Sequence, residues 1–127
     1  MYKEIIITIL IVVLILGLDI ITSRYTANAI VELSKNLDEL KTDLDTKSEN
    51  NIEEKTNNIF TKWREYYDVL AYYIEHDELE KVDTAIIEVK SYIETEDYSS
   101  AVAELDKGKF VLEHIEEKYS FNIQNVF

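Results

Sequence analysis

The chain has 127 residues with no proline and two glycines, a composition that favours long helices over a turn-rich β fold and allows one small domain. The absence of cysteine excludes disulfide bonds and thiolate metal sites. The formal net charge of −13 at pH 7 repels nucleic acid and anionic lipid headgroups, which excludes both as partners.

The first predicted element is a membrane-spanning helix. Ile5–Ile21 reads IIITILIVVLILGLDII and is apolar except for Asp19. As a helix it extends about 26 Å, slightly less than the roughly 30 Å of bilayer hydrocarbon. Thr22 and Ser23 nearly close that gap, and Asp19 then lies near an interface, where a charge is tolerated. We therefore predict a single-pass membrane anchor over residues 1–24.

A cleaved signal peptide is the alternative to a retained anchor. Ala27-Asn28-Ala29 offers a small-x-small pattern, so cleavage after Ala29 stays open. Two features favour retention. The apolar core is longer than the usual 7–15 residues of a signal peptide, and the helical pattern continues past Ala29 without a break.

The orientation of the anchor is not decided by its flanking charges. Lys3 and the α-amine lie on one side, and Arg24, Lys35 and Lys41 lie on the other. The four residues before Ile5 are too few for a cytoplasmic effector domain. We therefore expect the domain of residues 25–127 to lie outside the cytoplasm.

That domain carries apolar residues at alternating intervals of three and four, which predicts an all-α antiparallel bundle of about four helices. The four stretches run from Ile30 to Leu44, from Ile52 to Tyr73, from Leu79 to Ile93 and from Tyr98 to Tyr119. We expect the first helix to continue out of the anchor and the last two to form a tight hairpin, with Gly108 permitting their close approach.

Cap residues place the predicted turns near 45–51, 75–78 and 94–98. Asn51, Asp77 and Asp97 each stand just before an apolar helical stretch, as N-cap residues do. Glu54 and Glu80 follow the first two caps by three residues, which is the capping-box spacing.

Two histidines lie among acidic residues and are the candidate metal ligands. His76 is followed closely by Glu78, and His114 by Glu117. A carboxylate-bridged dimetal site requires Glu-x-x-His on two helices, and Tyr73 and Val111 occupy those positions here. Polar groups at helix ends explain both clusters, so we expect no metal and no cofactor.

Catalytic motifs are also missing. The sequence contains no nucleophile elbow, no glycine-rich phosphate loop and no His-x-x-x-His zinc pair. Acidic residues occur throughout the chain, so none can be assigned as a general acid. We therefore expect a protein that is not an enzyme.

The candidate interaction residues are aromatic or lie in the C-terminal tail. Trp63 belongs to a helix crowded with tyrosines, and aromatic residues at this spacing usually form a core. The tail is uncharged after Tyr119 and contains Phe121, Asn122, Asn125 and Phe127. Disordered tails are polar and charged, so this one should pack, either on its own bundle, which we favour, or on a partner.

Several of these elements resemble the family of domain of unknown function 4363. They are Tyr72-Tyr73-Ile74-Glu75-His76-Asp77-Glu78, Lys109-Phe110 with Glu113-His114-Ile115, and the ending Phe121-Asn122-Ile123-Gln124-Asn125-Val126-Phe127. The resemblance implies a short, single-span membrane protein of clostridia and related Gram-positive bacteria. It implies no activity, and its motif residues include His76, Glu78, His114, Asn122 and Asn125.

Two classes of function remain from the sequence. The first is a non-enzymatic extracytoplasmic module that binds another membrane or envelope protein, with self-association left open. The second is a sensor or binding domain for a small cation or ligand, held by the acidic face or by His76 and His114. A binding domain should contain a cavity with convergent polar groups, whereas a scaffold should have a dry core and exposed apolar residues.

Overall fold

The computed structural model describes residues 1–46 and 51–119, which form four helices and no strand. The helices are α1 (Tyr2–Asp45), α2 (Ile52–Leu70), α3 (His76–Glu94) and α4 (Tyr98–Tyr119). The predicted all-α fold with about four helices is confirmed.

The helices form a ring in which each one packs on two others. Helix α1 contacts α2 and α4, and α3 contacts the same two helices. Asp43 pairs with Lys55 near the start of α2, whereas Thr26 contacts Tyr73 just beyond its end. Helix α2 therefore runs back along α1, and the bundle is antiparallel. The most extensive contact joins α3 and α4, which confirms the predicted hairpin.

Helix α1 is continuous and much longer than the other helices. Its 44 residues correspond to about 66 Å of helix, without a break between Ile21 and Ile30. The side chains of the apolar segment, Ile5–Ile21, are exposed, and burial against the bundle begins at Ser23. Within the described residues, α1 is the one helix long and apolar enough to cross a membrane, judged by length and composition.

The core is built from the apolar stripes that the spacing predicted. Its largest fully buried side chains are Trp63, Ile30, Leu33, Leu40, Leu70, Leu79, Leu105, Leu112, Ile115 and Val82. Burial of each such aliphatic side chain stabilises the fold by roughly 1.5–3 kcal/mol. Gly108 is also buried, and a Cβ atom added there would lie 3.4 Å from the Cβ of Ala85. The missing side chain lets α3 and α4 approach closely.

The prediction for the second turn is wrong by several residues. Helix α2 ends at Leu70, residues 71–75 form the turn, and Glu75 rather than Asp77 precedes α3. The apolar spacing continued to Tyr73 because the turn itself contributes to the core. Ile74 is buried, and its N–H donates to the Leu70 carbonyl at 2.9 Å. Spacing alone therefore could not separate the turn from the helix.

The other two cap predictions differ in their outcome. Asp97 precedes α4, and its carboxylate accepts a hydrogen bond from the Ser100 N–H at 3.3 Å, as an N-cap does. Asn51 precedes α2 as predicted, but its side chain makes no cap bond. Its backbone has a φ of 71°, a left-handed conformation that asparagine tolerates better than most residues.

Candidate functional site

The two candidate histidines lie at the same end of the bundle but pair with different carboxylates. His76 is the first residue of α3, and its Nε2 lies 4.0 Å from Glu80 Oε2. His114 is near the end of α4, and its Nε2 lies 3.9 Å from Glu78 Oε1. Both imidazoles are largely exposed. The structure thus joins Glu78 to His114 and leaves His76 with Glu80.

Glu78 is the most buried of these candidate ligands. Its exposed fraction is 8%, and its Oε2 atom has no hydrogen-bond partner within the described part of the chain. A buried carboxylate without a partner is costly. Two features stabilise the Glu78 carboxylate, namely its contact with His114 and its position in the first turn of α3, where the helix dipole favours negative charge. Glu117 is exposed on α4. Within residues 1–46 and 51–119, no three His, Cys, Asp or Glu side chains are grouped to hold a metal ion.

Trp63 lies in the core of the bundle, so its ring is not part of the surface. Its side chain is fully buried, and its indole N–H donates to Asp83 Oδ1 on α3 at 2.9 Å. Tyr67 packs edge-on against it, with ring centroids 5.8 Å apart. Trp63 therefore connects α2 to α3. The other candidate interaction residues, Phe121, Asn122, Asn125 and Phe127, lie outside the described residues.

A polar cluster between α1 and α2 was not identified from the sequence. Glu32 on α1 accepts hydrogen bonds from the Lys62 ammonium and the Tyr66 hydroxyl of α2. These two bonds hold the pKa of Glu32 below its ordinary value. Burial, followed by the bond to Glu32, raises the pKa of Tyr66 to about 12. Tyr25 completes the cluster by packing edge-on against Tyr66, with ring centroids 5.8 Å apart.

A pair of acidic residues, Glu88 of α3 and Glu104 of α4, lies between these two helices. Burial raises the pKa of Glu104, and hydrogen bonding to Glu88 and its charge raise it further. Lys107 lies 3.8 Å from Glu104 Oε2 and has a weaker, opposite effect on the pKa. A neighbouring negative charge disfavours ionisation, so Glu104 retains its proton more readily than an exposed glutamate does.

The turn between α2 and α3 is attached to α1 by hydroxyl groups. The Tyr73 hydroxyl lies 2.6 Å from Thr26 Oγ1 and 3.3 Å from the Thr22 carbonyl oxygen. Thr26 is fully buried, and its hydroxyl donates to the Thr22 carbonyl at 2.7 Å. Thr26 lies four residues before Ile30 and therefore extends the apolar stripe of α1. This spacing was the one signal in the sequence, and it did not indicate that the partner is Tyr73.

The described part of the bundle has surface depressions that are lined mainly by polar side chains. One depression lies between α1 and α2 and is lined by Asn36, Lys55, Asn58 and Lys62 among others. Another lies between α3 and α4 and is lined by charged residues including Asp77, Lys81 and Lys107. Both are open to solvent, which suits contact with a surface better than enclosure of a small molecule.

Comparison with protein-family models identifies the family. A model for a domain of unknown function, DUF4363, matches residues 20–126. The chain belongs to the DUF4363 family. The DUF4363 match includes the whole bundle and leaves most of the apolar segment outside it. Comparisons with curated proteins and with solved structures gave no match.

The residues that the resemblance singled out in the sequence can now be placed. His76, Glu78 and His114 lie at the end of the bundle that adjoins the apolar segment, which we call the proximal end. It consists of the 71–75 turn, the start of α3 and the end of α4. Tyr119 belongs to it, because its hydroxyl accepts a hydrogen bond from the Glu75 N–H at 3.2 Å. Asn122 and Asn125 lie outside the described residues.

Proposed function

We propose that this protein is a non-enzymatic, membrane-anchored module whose helical bundle binds another membrane or envelope protein outside the cytoplasm. The observation that carries the proposal is the course of α1. One helix continues from an exposed apolar segment directly into a bundle whose interior is filled by apolar side chains.

Membrane attachment is supported by the exposure of the apolar segment. All of its isoleucine, leucine and valine side chains are exposed, and no described part of the chain packs on them. A contiguous apolar surface of this length is unfavourable in water and favourable in bilayer hydrocarbon. An α-helix also satisfies its own backbone hydrogen bonds in hydrocarbon.

A location outside the cytoplasm is supported by the distribution of charge. Lys3 and Arg24 balance Glu4 and Asp19, so the whole net charge of −13 belongs to residues 25–127. The bundle begins two residues after the apolar segment, so the acidic residues at its start lie next to the bilayer when that segment is embedded. The cytoplasmic leaflet carries a negative surface potential and would repel it.

Binding through the surface of the bundle is supported by its filled interior and by its exposed apolar side chains. Phe110 is 70% exposed on α4, and Val31 and Ile87 are exposed on α1 and α3. Phenylalanine is one of the residues enriched at protein–protein interfaces, so Phe110 is the strongest of these three candidates.

The proposal can be tested by site-specific photocrosslinking in native membranes. A photoreactive phenylalanine analogue replaces Phe110 in the full-length chain, and Thr84, which is exposed on α3, is the matched control position. We expect a discrete adduct with one membrane or envelope protein from position 110 and none from position 84. The same analogue is also placed at Val31 and at Ile87, one position per variant. The proposal is wrong if positions 31, 87 and 110 yield no protein adduct, or if all of them react as position 84 does.

A further inference from the structure

The turn between α2 and α3 is held at a fixed level along α1. The contacts of the Tyr73 hydroxyl with Thr26 Oγ1 and the Thr22 carbonyl span one turn of α1. This helical turn of α1, residues 22–26, directly follows Ile21, the last residue of the apolar segment. Residues 71–75 therefore lie beside the point where the apolar segment ends.

This level corresponds to the headgroup layer of a bilayer. The hydrocarbon is about 30 Å thick and the headgroup regions add roughly 10–15 Å in total, so each layer is about 5–7 Å deep. Residues 22–26 rise about 6 Å along the helix. When the apolar segment, together with Thr22 and Ser23, fills the hydrocarbon, Thr26 and the α2–α3 turn that it holds lie among the headgroups.

The turn has the chemistry of an interfacial segment. Residues 69–74 are uncharged, and Tyr72 is 90% exposed. Val69, three residues earlier, is exposed as well, and the following Glu75 carboxylate is paired with Lys118 at 3.5 Å. Tyrosine is enriched at membrane interfaces because its ring is apolar and its hydroxyl is polar.

Phe110 of α4 is a second exposed aromatic residue, but its level along α1 is farther from the apolar segment than the headgroup level of the α2–α3 turn. It is 70% exposed, but its neighbour Lys109 pairs with Asp38 of α1 at 2.9 Å. Asp38 lies twelve residues beyond Thr26, or about 18 Å further along the helix. Tyr72 and Phe110 are thus two exposed rings at different distances from the apolar segment.

We propose that the α2–α3 turn is a second membrane contact, in which the Tyr72 ring enters the headgroup layer of the bilayer that holds the apolar segment. The inference rests on the proposed function, because it requires the apolar segment to be embedded. The contact is made by an uncharged ring, so it needs no attraction between the acidic bundle and the lipid. Two contacts on different helices also fix the tilt of the bundle, which one span alone does not.

The absence of cysteine allows a direct test in the full-length chain. Single-cysteine variants Leu14→Cys, Tyr72→Cys and Phe110→Cys are labelled with the same environment-sensitive fluorophore and reconstituted into phosphatidylcholine vesicles. Quenching is measured with nitroxide lipids that carry the spin label either on the headgroup or deep in the acyl chain. Circular dichroism of each labelled variant confirms that the helices are retained.

We expect the headgroup nitroxide to quench fluorescence at position 72 more strongly than at position 110, with a blue-shifted emission at position 72. The acyl-chain nitroxide should quench position 14 most. Equal quenching at positions 72 and 110, with position 14 quenched, would refute the turn contact and leave the anchor standing. Failure of the acyl-chain nitroxide to quench position 14 would refute the anchor, and the turn contact with it.

Discussion

Two of the antiparallel helix pairs in the bundle, α1–α2 and α3–α4, differ in the chemistry that joins them. Helices α3 and α4 meet over an apolar seam, in which Gly108 lies against Ala85 and a short turn over residues 95–97 closes the pair. Helices α1 and α2 also share apolar core residues, but Glu32 of α1 is bonded to Lys62 and Tyr66 of α2.

The difference indicates which perturbations each pair should resist. Helices α3 and α4 contact each other closely because Gly108 has no side chain. The stability of this contact is therefore sensitive to added side-chain volume, since a methylene added in a tight seam pushes the helices apart. Contact through hydrogen bonds to a carboxylate depends on its protonation state. Substitutions that add side-chain volume and substitutions that remove a carboxylate charge should therefore affect the two pairs differently. Trp63 lies between the pairs, because it connects α2 to α3.

Trp63 connects α2 to α3, and its loss should have the largest effect. Trp63→Ala removes a fully buried ring and its bond to Asp83, so we expect the free energy of unfolding to fall by about 3–5 kcal/mol. Trp63→Phe keeps most of the ring and should cost less. Chemical unfolding of the full chain in detergent, followed by circular dichroism, measures both. Tyr72→Ala is the exposed control, and an equal loss there would contradict the assignment of Trp63 to the core.

The close approach of α3 and α4 predicts the response to substitutions at Gly108. A Cβ atom fits at 3.4 Å from the Cβ of Ala85, but a leucine side chain would overpack this buried position, so Gly108→Leu should destabilise the fold by about 1–3 kcal/mol. Gly108→Ala should be near neutral, since the helix propensity of alanine offsets the tight contact. Ala103→Leu, at an exposed position of the same helix, is the matched control in the same unfolding assay. Equal tolerance of leucine at positions 103 and 108 would show that the seam is not tight.

The hydroxyl contact at the proximal end should have a smaller effect. Tyr73→Phe removes the bond to Thr26 and leaves the Thr26 hydroxyl bonded to the Thr22 carbonyl, so we expect a loss of about 0.5–1.5 kcal/mol. A double-mutant cycle with Thr26→Val isolates the pair. Losses that add without coupling would mean that the two hydroxyls do not interact.

The smallest predicted effects have opposite signs in the two pairs. The pKa of Glu32 is lowered from 4.5, so its charged form stabilises the fold above the ordinary pKa, and this contribution is lost as the pH falls through the lowered value. The pKa of Glu104 is raised from 4.5, so its protonated form is favoured below the ordinary pKa, and that contribution is lost as the pH rises through the raised value.

Substitution by glutamine therefore distinguishes the two carboxylates. Near neutral pH, Glu32→Gln should lower the unfolding midpoint and Glu104→Gln should raise it, because glutamine is uncharged at both positions. Both differences from the parent chain should shrink at about pH 4. Midpoints that shift in the same direction for the two variants would contradict the contrast between the pairs.

The sequence predicted the helices because the apolar stripes are regular, and it placed Asp97 correctly because its side chain caps α4. It misplaced the second turn because Tyr73 and Ile74 continue the stripe while serving in the turn itself. Spacing reports that a residue is buried, and it does not report whether the backbone there is still helical.

The polar contacts were beyond the reach of spacing for another reason. Glu32 is one of many acidic residues, and nothing local indicates that it meets Lys62 and Tyr66 on the next helix. Similarly, His76 and His114 were recognised as candidates, but their carboxylate partners depend on how α3 and α4 are rotated about their axes. Rotation is set by packing of the whole bundle, so it appears only in the structure.

If the apolar segment is embedded in a bilayer as proposed, the unbroken course of α1 limits how far from that bilayer the described helices reach. With the apolar segment in the bilayer, the part of α1 from Arg24 to Asp45 extends about 33 Å, and the other described helices run alongside it. Burial against the bundle already begins at Ser23, so no linker adds length between bilayer and bundle. The described helices would therefore occupy a layer a few nanometres thick, and a partner of the proposed kind would have to enter that layer to reach them.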